Sequence, residues 1–531
     1  MTDLLFHDGP IYTLDEQQPR AEALLVRDER IIAVGNAAAV RAQARPGYEA
    51  IALRGRALLP GLTDAHIHLL WTGQNRQRID LDGVASLDEA LALIARHAER
   101  LPADAWVRGH GWNHALWGGR WPTAQELDRV TGGRPAVLSR KDGHSVWLNT
   151  RALELAGITA ATPDPDGGVI GRDARGEPTG ILSENAMSLV WRVVPEPTPD
   201  ENLEALRAII AECNRRGLTS LHMPEGPETL TALQTLAALE QLHARCLFHL
   251  PYRQLDAYIE AGIRSGFGDT WVRIGGVKIF SDGSLGSCTC HMLRPFEGRP
   301  DNSGVPTIPE DELYAAVRRA IDHGIAVTIH AIGDRANRTV LDAIAAQQRD
   351  ARTGTAPRLP NRIEHAQHLD PADVPRFAAL GVIASMQPIH ATSDWEVAER
   401  LLGAERCRWS YAWQALWQAG ATLAFGSDAP VETLDPWAGI HAAVTRQRPD
   451  GTPPGGWHRE LALSLEQALW AYTVGPAIAS GEAQLKGRLK PGLLADLIVT
   501  AADPFAVDPG ELWRMEVVQT FVGGRCVWHQ R

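Results

Sequence analysis

Along the chain the apolar positions change their period. Residues 4–14, 23–35 and 48–59 alternate or run continuously apolar, separated by turn-formers such as His7-Asp8-Gly9-Pro10. The same strand-like pattern returns at 487–500 and 516–528, the latter with Gly523-Gly524 as an internal turn. Neither end alone has enough strands to bury a face. Residues 1–60 plus 481–531 are therefore expected to combine into one small composite β-sandwich. Across 61–480, short apolar runs alternate with helical stretches. Candidate strands lie at 58–68, 218–223, 245–250, 272–280, 325–330, 362–366, 382–387 and 422–427. Candidate helices lie at 202–216, 310–323, 335–348, 371–380 and 411–419. Eight strands with intervening helices predict an α/β fold, a (β/α)8 TIM barrel. The first gap is too long for one strand–helix unit, so about 71–200 is expected to be an insertion capping the active site.

Composition narrows the class. The 531 residues suggest roughly three domains, or one large barrel with additions. Hydrophobic residues at 44% and charged residues at 22% support a large core and exclude wholesale disorder. A net charge of −12 argues against nucleic acid or an anionic membrane as partner. The six cysteines form no CxxC pair and no disulfide framework. The N-terminus lacks a basic segment followed by an apolar core, and no apolar run reaches transmembrane length. A soluble protein of a reducing cytoplasm is expected. Seven of the 17 tryptophans (Trp71, Trp106, Trp112, Trp117, Trp121, Trp147 and Trp191) fall in the insertion, where they could wall a pocket or form a local core.

The polar residues that end the apolar runs carry the candidate chemistry. Residues 59–68, Leu-Pro-Gly-Leu-Thr-Asp-Ala-His-Ile-His, finish a strand with His66 and His68. A period of two puts both imidazoles on one face, the barrel interior. Two neutral imidazoles there are a sound ligand pair for a borderline-soft divalent ion; one of them could equally be a hydrogen-bonded core histidine. Recurrence shifts the balance, because His330, His365 and Asp428 close later strands. Parallel barrel strands end on one face, so these side chains converge. Singly, each has a structural alternative: a core histidine, or a helix N-cap for Asp428 after Gly426-Ser427. Lys278 lies inside an apolar strand, where burial lowers its pKa. The neutral amine could then take up carbon dioxide as a carbamate able to bridge two cations. An ion pair with Asp282 is the alternative.

In combination, Pro60–His68, Lys278 in Val-Lys-Ile-Phe-Ser-Asp-Gly-Ser-Leu-Gly-Ser, His330 in His-Ala-Ile-Gly-Asp, His365 in Ile-Glu-His-Ala-Gln and Asp428 in Gly-Ser-Asp-Ala-Pro resemble the amidohydrolase superfamily. Within it they are most similar to amidohydrolase family 3, the YtcJ-like branch that includes N-substituted formamide deformylases. The resemblance runs over nearly the whole chain, to Lys490-Pro491-Gly492 and Ala495-Asp496-Leu497. It implies hydrolysis of a non-peptide C–N bond, amide or N-formyl, by a metal-activated hydroxide. His66, His68 and Asp428 would hold the more buried of two divalent ions, zinc by preference. His330 and His365 would hold the other, and carboxylated Lys278 would bridge them. Asp428 would also carry the proton from nucleophile to leaving amine. The same hydroxide would serve an amidine-type deaminase or an ester or lactone hydrolase. A non-catalytic barrel relative is the reading from another class, against which the intact set of six residues argues.

Other positions extend the expectation. Asp64 could orient an imidazole or be a plain turn carboxylate. The insertion segments around Trp112 and His144 resemble family segments over the barrel mouth, making both candidates for substrate binding. Where relatives often carry an arginine after Gly-Ser-Leu-Gly-Ser, this chain has Cys288-Thr289-Cys290, which leaves the leaving-group specificity open; the two thiols are a weak candidate for a soft-metal site. A homodimer is the default for such barrels.

Overall fold

The computed structural model describes residues 2–141, 145–165, 168–350 and 357–530. The chain divides into two compact units, Met1–Leu69 with Leu206–Arg531, and Leu70–Ala205.

In the first unit eight parallel strands follow one another around a barrel: Leu62–Asp64, Leu218–Pro224, Arg245–Pro251, Val272–Phe280, Val327–Ala331, Arg362–His365, Ile383–Met386 and Leu423–Phe425. Neighbours pair in parallel register, as in Lys278 opposite Thr328 and His330 opposite Glu364. The eighth strand meets the first where Ala65 N–H donates to Phe425 O at 3.0 Å and Asp428 N–H donates to His66 O at 2.7 Å. These strands are covered on both faces, and Leu218–Pro224 is buried at every residue, which is why they read as apolar runs rather than alternations. The helix Glu310–Asp322 shows the complementary period. Its buried Leu313, Ala316, Val317, Ala320 and Ile321 make a single stripe, and Glu310, Asp311 and Glu312 sit in its first turn, where the helix dipole favours negative charge.

The strand expected at 58–68 is divided. Leu58–Pro60 joins a different sheet, and the barrel strand begins at Leu62. Gly61 makes the crossing between them: a Cβ there would lie 2.3 Å from Thr219 Oγ1, so the second barrel strand can approach only a glycine.

That second sheet joins the two ends of the chain. Leu4–Tyr12, Arg20–Arg27, Arg30–Gly35, Glu49–Ala52 and Leu58–Pro60 are hydrogen-bonded with Leu497–Thr500, Val517–Val522 and Arg525–His529 in one eight-stranded sheet. Alternate residues face opposite ways. Phe6, Leu24 and Val26 pack with Leu497, Val499 and Phe521, whereas Leu5, Ala23 and Leu25 pack with Ala33 and Val40. The run expected as one strand at 23–35 is a hairpin, turned at Asp28, whose φ is 53°.

The unit Leu70–Ala205 has its own six-stranded sheet, ordered Gly168–Arg172, Pro178–Glu184, Ser145–Leu148, Ala136–Arg140, Val107–Trp112 and Ile79–Asp80. One of its hydrophobic clusters gathers Trp112 and Trp147 with Ile79, Val107 and Leu138. Among the described residues no helix is long and apolar enough to cross a membrane.

Candidate active site

The C-terminal ends of the barrel strands bring six of the sequence-predicted residues to one face. His66 and His68 follow the first strand, and both Nε2 atoms approach Asp428 Oδ1, at 3.4 and 3.3 Å. The ring centroid of His66 lies 5.1 Å from that of His365, which lies 4.5 Å from that of His330. Lys278, near the end of the fourth strand, is buried with its Nζ 4.8 Å from the Phe280 ring centroid. Two backbone positions are held in the left-handed region at this face: His365 with φ 75° and Asp428 with φ 59°. For non-glycine residues such a conformation costs on the order of 1–3 kcal/mol and persists only where the surroundings impose it.

The hydrogen bonds of the histidines fix which nitrogen each presents. His66 Nδ1–H donates to Glu364 Oε2. His365 Nδ1–H donates to Gln387 Oε1 at 2.8 Å. His330 Nε2–H donates to the Gly283 carbonyl at 3.1 Å. Each acceptor is an oxygen, so each of these nitrogens carries the proton, and the other nitrogen of the ring is a bare lone pair. His66 Nε2 is buried and has no hydrogen-bond partner. Burial pushes the His66 imidazole down to about 4 and that of His330 to about 3, with the Lys278 charge adding to both; His365 is likewise held well below the ordinary histidine range by burial. The three rings are therefore neutral donors of lone pairs, the state a metal ligand must have. His66, His68 and Asp428 place one ligand atom each within 4.8 Å of one another, and so do His365, His390 and Asp428. Imidazole nitrogens around a carboxylate are the donor chemistry of a divalent ion such as zinc, so His66, His68 and Asp428 fit that ion, whereas His390 stands in the second set as a charged partner of Asp428.

Lys278 is not paired with Asp282. That carboxylate accepts from the backbone N–H of His291, Ile332 and Gly333, at 2.8, 3.0 and 2.8 Å. Burial brings the Lys278 amine down to about 8, opposed by the negative charges of Glu364 and Asp428. An amine in that range is partly neutral near pH 7–8 and available as a nucleophile.

Of the two roles open to Asp64, the structure gives it that of a turn carboxylate. It accepts from His66 N at 3.1 Å, Ser427 N at 3.0 Å and Ser427 Oγ at 2.5 Å, tying the backbone after the first strand to that after the eighth. The group that orients the His66 imidazole is Glu364, one residue before a predicted ligand. Gly426 allows the close crossing, since a Cβ there would lie 2.4 Å from His66 N.

Sequence reasoning missed His390, in the helix Pro388–Cys407 that follows the seventh strand. Its Nε2 lies 3.3 Å from Asp428 Oδ2, and its Nδ1 lies 3.9 Å from Glu432 Oε1. Burial alone would lower its pKa, but the hydrogen bond to Asp428 and the nearby Glu432 carboxylate push it up to about 10. The imidazolium lies against one oxygen of Asp428 while the other faces His66 and His68. A histidine after Gln387-Pro388-Ile389 carried no periodic signal; only its position after a barrel strand could have marked it.

Two expected substrate contacts fare differently. Trp112 is fully buried in the core of its own unit, and its indole N–H donates to Leu138 O at 2.8 Å, which makes it a packing residue. His144 lies outside the described residues. Cys288 and Cys290 are buried free thiols, the second 3.8 Å from the Met292 sulfur, and among the described residues neither belongs to a ligand cluster.

With this geometry in hand, similarity to known proteins identifies the family. Residues 49–528 match the profile of the Amidohydrolase family. YtcJ of Bacillus subtilis (strain 168) is 33% identical over 534 residues, covering 99% of this chain and 99% of that protein. The N-substituted formamide deformylase of Arthrobacter pascens is 31% identical over 543 residues, covering 99% of this chain and 98% of that enzyme. Among solved structures, a metal-dependent hydrolase from Pyrococcus horikoshii OT3, itself described as uncharacterized, superposes with a TM-score of 0.81 at 29% identity over 96% of this chain and 99% of its own. The chain belongs to the amidohydrolase family.

Proposed function

We propose that this protein is a metal-dependent hydrolase that cleaves a non-peptide C–N bond, of amide or N-formyl type, in a small molecule. The observation that carries the reading is the set of neutral imidazoles gathered at the strand ends, His66, His330 and His365, each with one nitrogen's proton taken by an oxygen and the other nitrogen left as a lone pair. With His68 and Asp428 they would hold two divalent ions, zinc by preference: His66, His68 and Asp428 one, His330 and His365 the other. Lys278 would join them as a carbamate: its ammonium first gives up one proton, and the neutral amine nitrogen then bonds to the carbon of carbon dioxide with release of a second, leaving an anion with two oxygens. When bound, the metal supplies Lewis acidity toward the scissile carbonyl and makes water acidic enough to act as a nucleophile near neutral pH. Asp428 accepts the proton of that water and returns it to the departing amine. His390 holds Asp428 Oδ2, so that Oδ1 remains turned toward the histidines. The deformylase from Arthrobacter pascens supports the N-formyl choice.

The test is metal content and turnover of metal-loaded protein against N-formyl amines, simple amides, cyclic amidines and lactones. Close to two divalent ions per chain are expected, with activity on N-formyl or amide substrates abolished by chelation and regained on metal return. Metal-loaded protein that turns over only the amidines or the lactones would replace this substrate class, and well-loaded protein with no activity on any would favour a non-catalytic role. In Lys278→Ala the second ion and most activity should be lost, with partial recovery in short carboxylic acids; unchanged metal content there would remove the bridging role.

A further inference from the structure

Beneath the mouth, the barrel interior holds a buried polar group that the reaction above does not use. Arg362 and Glu364 are two residues apart on the sixth strand and so share a face; both are fully buried, as are Ser385 and His66. Arg362 Nε and Nη2 donate to the two oxygens of Glu364, at 2.8 and 3.2 Å. Nη2 also donates to Ser385 Oγ and to the backbone carbonyl of Ala65, both at 2.7 Å. Nη1 lies against the rings of His222 and His249, at 3.1 and 3.3 Å. Ser385 Oγ–H donates to Glu364 Oε2 at 2.6 Å, the same oxygen that accepts from His66 Nδ1.

We propose that Arg362 is a positioning residue for the metal centre, gripping His66 at two points at once: its imidazole, through Glu364, and its backbone, through the carbonyl of Ala65. A planar fork of N–H groups can do both, because Nε and Nη2 face the two carboxylate oxygens side by side while the outward hydrogen of Nη2 is shared between the carbonyl and the hydroxyl. A buried guanidinium and carboxylate are costly to bring out of water, and a pair of apolar side chains would fill the same space without that cost. What the ionic pair adds is direction: it keeps the His66 proton on Nδ1 and the Nε2 lone pair aimed at the site. Carboxylates behind ligating histidines have this effect on ligand orientation and basicity, and losing one typically weakens metal binding by roughly 10–100-fold. Ser385 completes the hold as a third donor to Glu364 Oε2, beside Arg362 Nη2 and His66 Nδ1. The inference rests on the metal centre proposed above.

The experiment measures cobalt(II) affinity of the full chain by competition with a chelator. Alongside it come the visible spectrum of the cobalt protein, which reports the ligand field at the metal, and thermal unfolding of the metal-free protein. Glu364→Gln and Arg362→Lys are expected to weaken cobalt binding by roughly 10–100-fold and to alter the spectrum. Ser385→Ala keeps the charge pair and should weaken binding by less. Folded variants with wild-type affinity and spectrum would overturn the proposal. Where the two charge variants fail to fold, Ser385→Ala decides: an unchanged spectrum and affinity overturns it, and a shifted spectrum with weaker binding supports it. Failure of the wild-type protein to bind cobalt would instead overturn the metal centre, which separates the two readings.

Discussion

In the unit Leu70–Ala205, Trp112, Trp117 and Trp147 direct their indole N–H groups to the backbone carbonyls of Leu138, Val84 and Thr123, at 2.8, 3.0 and 2.8 Å. In the barrel, His66, His330 and His365 also direct a ring N–H to an oxygen. The two regions satisfy the same rule, that buried N–H groups find acceptors. They differ in what is left over. An indole has one polar atom and is finished once that bond is made, so the tryptophans are packing residues. An imidazole has a second nitrogen, and at His66 that nitrogen is buried at the strand ends without a hydrogen-bond partner. Residue type alone does not separate a site from a core: His368 Nε2 is as unpartnered as His66 Nε2, but only the latter lies beside a carboxylate and further histidines at the strand ends.

That contrast can be broken at several points. The largest effect belongs to Asp428→Asn, which keeps the volume of the side chain but removes the base. Its kcat should fall by at least the roughly 10²–10⁴ typical of acid–base catalysis, while metal content, measured by elemental analysis, shows whether the ligand role survives. Near-normal kcat would place the proton transfer on another group. On the other side, Trp112→Ala should cost about 3–5 kcal/mol of stability, the usual loss for a buried tryptophan. Calorimetric unfolding together with metal analysis checks it; a drop in metal content with no loss of stability would make Trp112 part of the site after all. His390→Ala removes a charged hydrogen-bond donor from Asp428, an interaction of about 1.5–3 kcal/mol, so kcat/KM should fall by roughly 10–150-fold. An effect confined to KM would instead make His390 a substrate contact.

The smallest expected effect concerns pH. His368 is buried far from solvent, and burial holds its pKa down to about 3. In the unfolded chain a histidine titrates near 6.5. Between these values the unfolded state binds the extra proton, so stability is full above about pH 6.5 and falls as pH drops through it. The loss from this one ring reaches about 1.4 kcal/mol by pH 5.5. Chemical denaturation of the metal-free protein at pH 7.5 and 5.5, compared with His368→Gln, isolates the term; equal pH dependence in both would assign the acid sensitivity to other histidines.

The barrel and its convergent ligands are legible in the sequence because parallel strands are buried on both faces and write themselves as apolar runs, with polar residues such as His330 and Asp428 standing out at their ends. Local signals fail where a role depends on a residue from elsewhere in the chain. Glu364 reads as part of an Ile-Glu-His strand, yet its meaning comes from His66, 298 residues away. Asp64 reads equally as an imidazole partner or a turn carboxylate, and only its bonds to His66 N and to Ser427 after the eighth strand decide for the second. Gly61 explains why one apolar run serves two sheets, since only the presence of Thr219 makes a side chain impossible there.

The shared sheet sets an order of events during synthesis. Tyr12 donates to Asp503, 491 residues further along the chain, and Leu58–Pro60 pairs with Leu497–Thr500. At about 5–20 residues per second, the ribosome delivers those partners on the order of 25–100 s after the first strands emerge. Until then Leu58–Pro60, the lead-in to the first barrel strand and to His66, has an open edge that invites other strands. The face that carries His66 is thus begun early in synthesis and braced only after some 491 further residues have emerged.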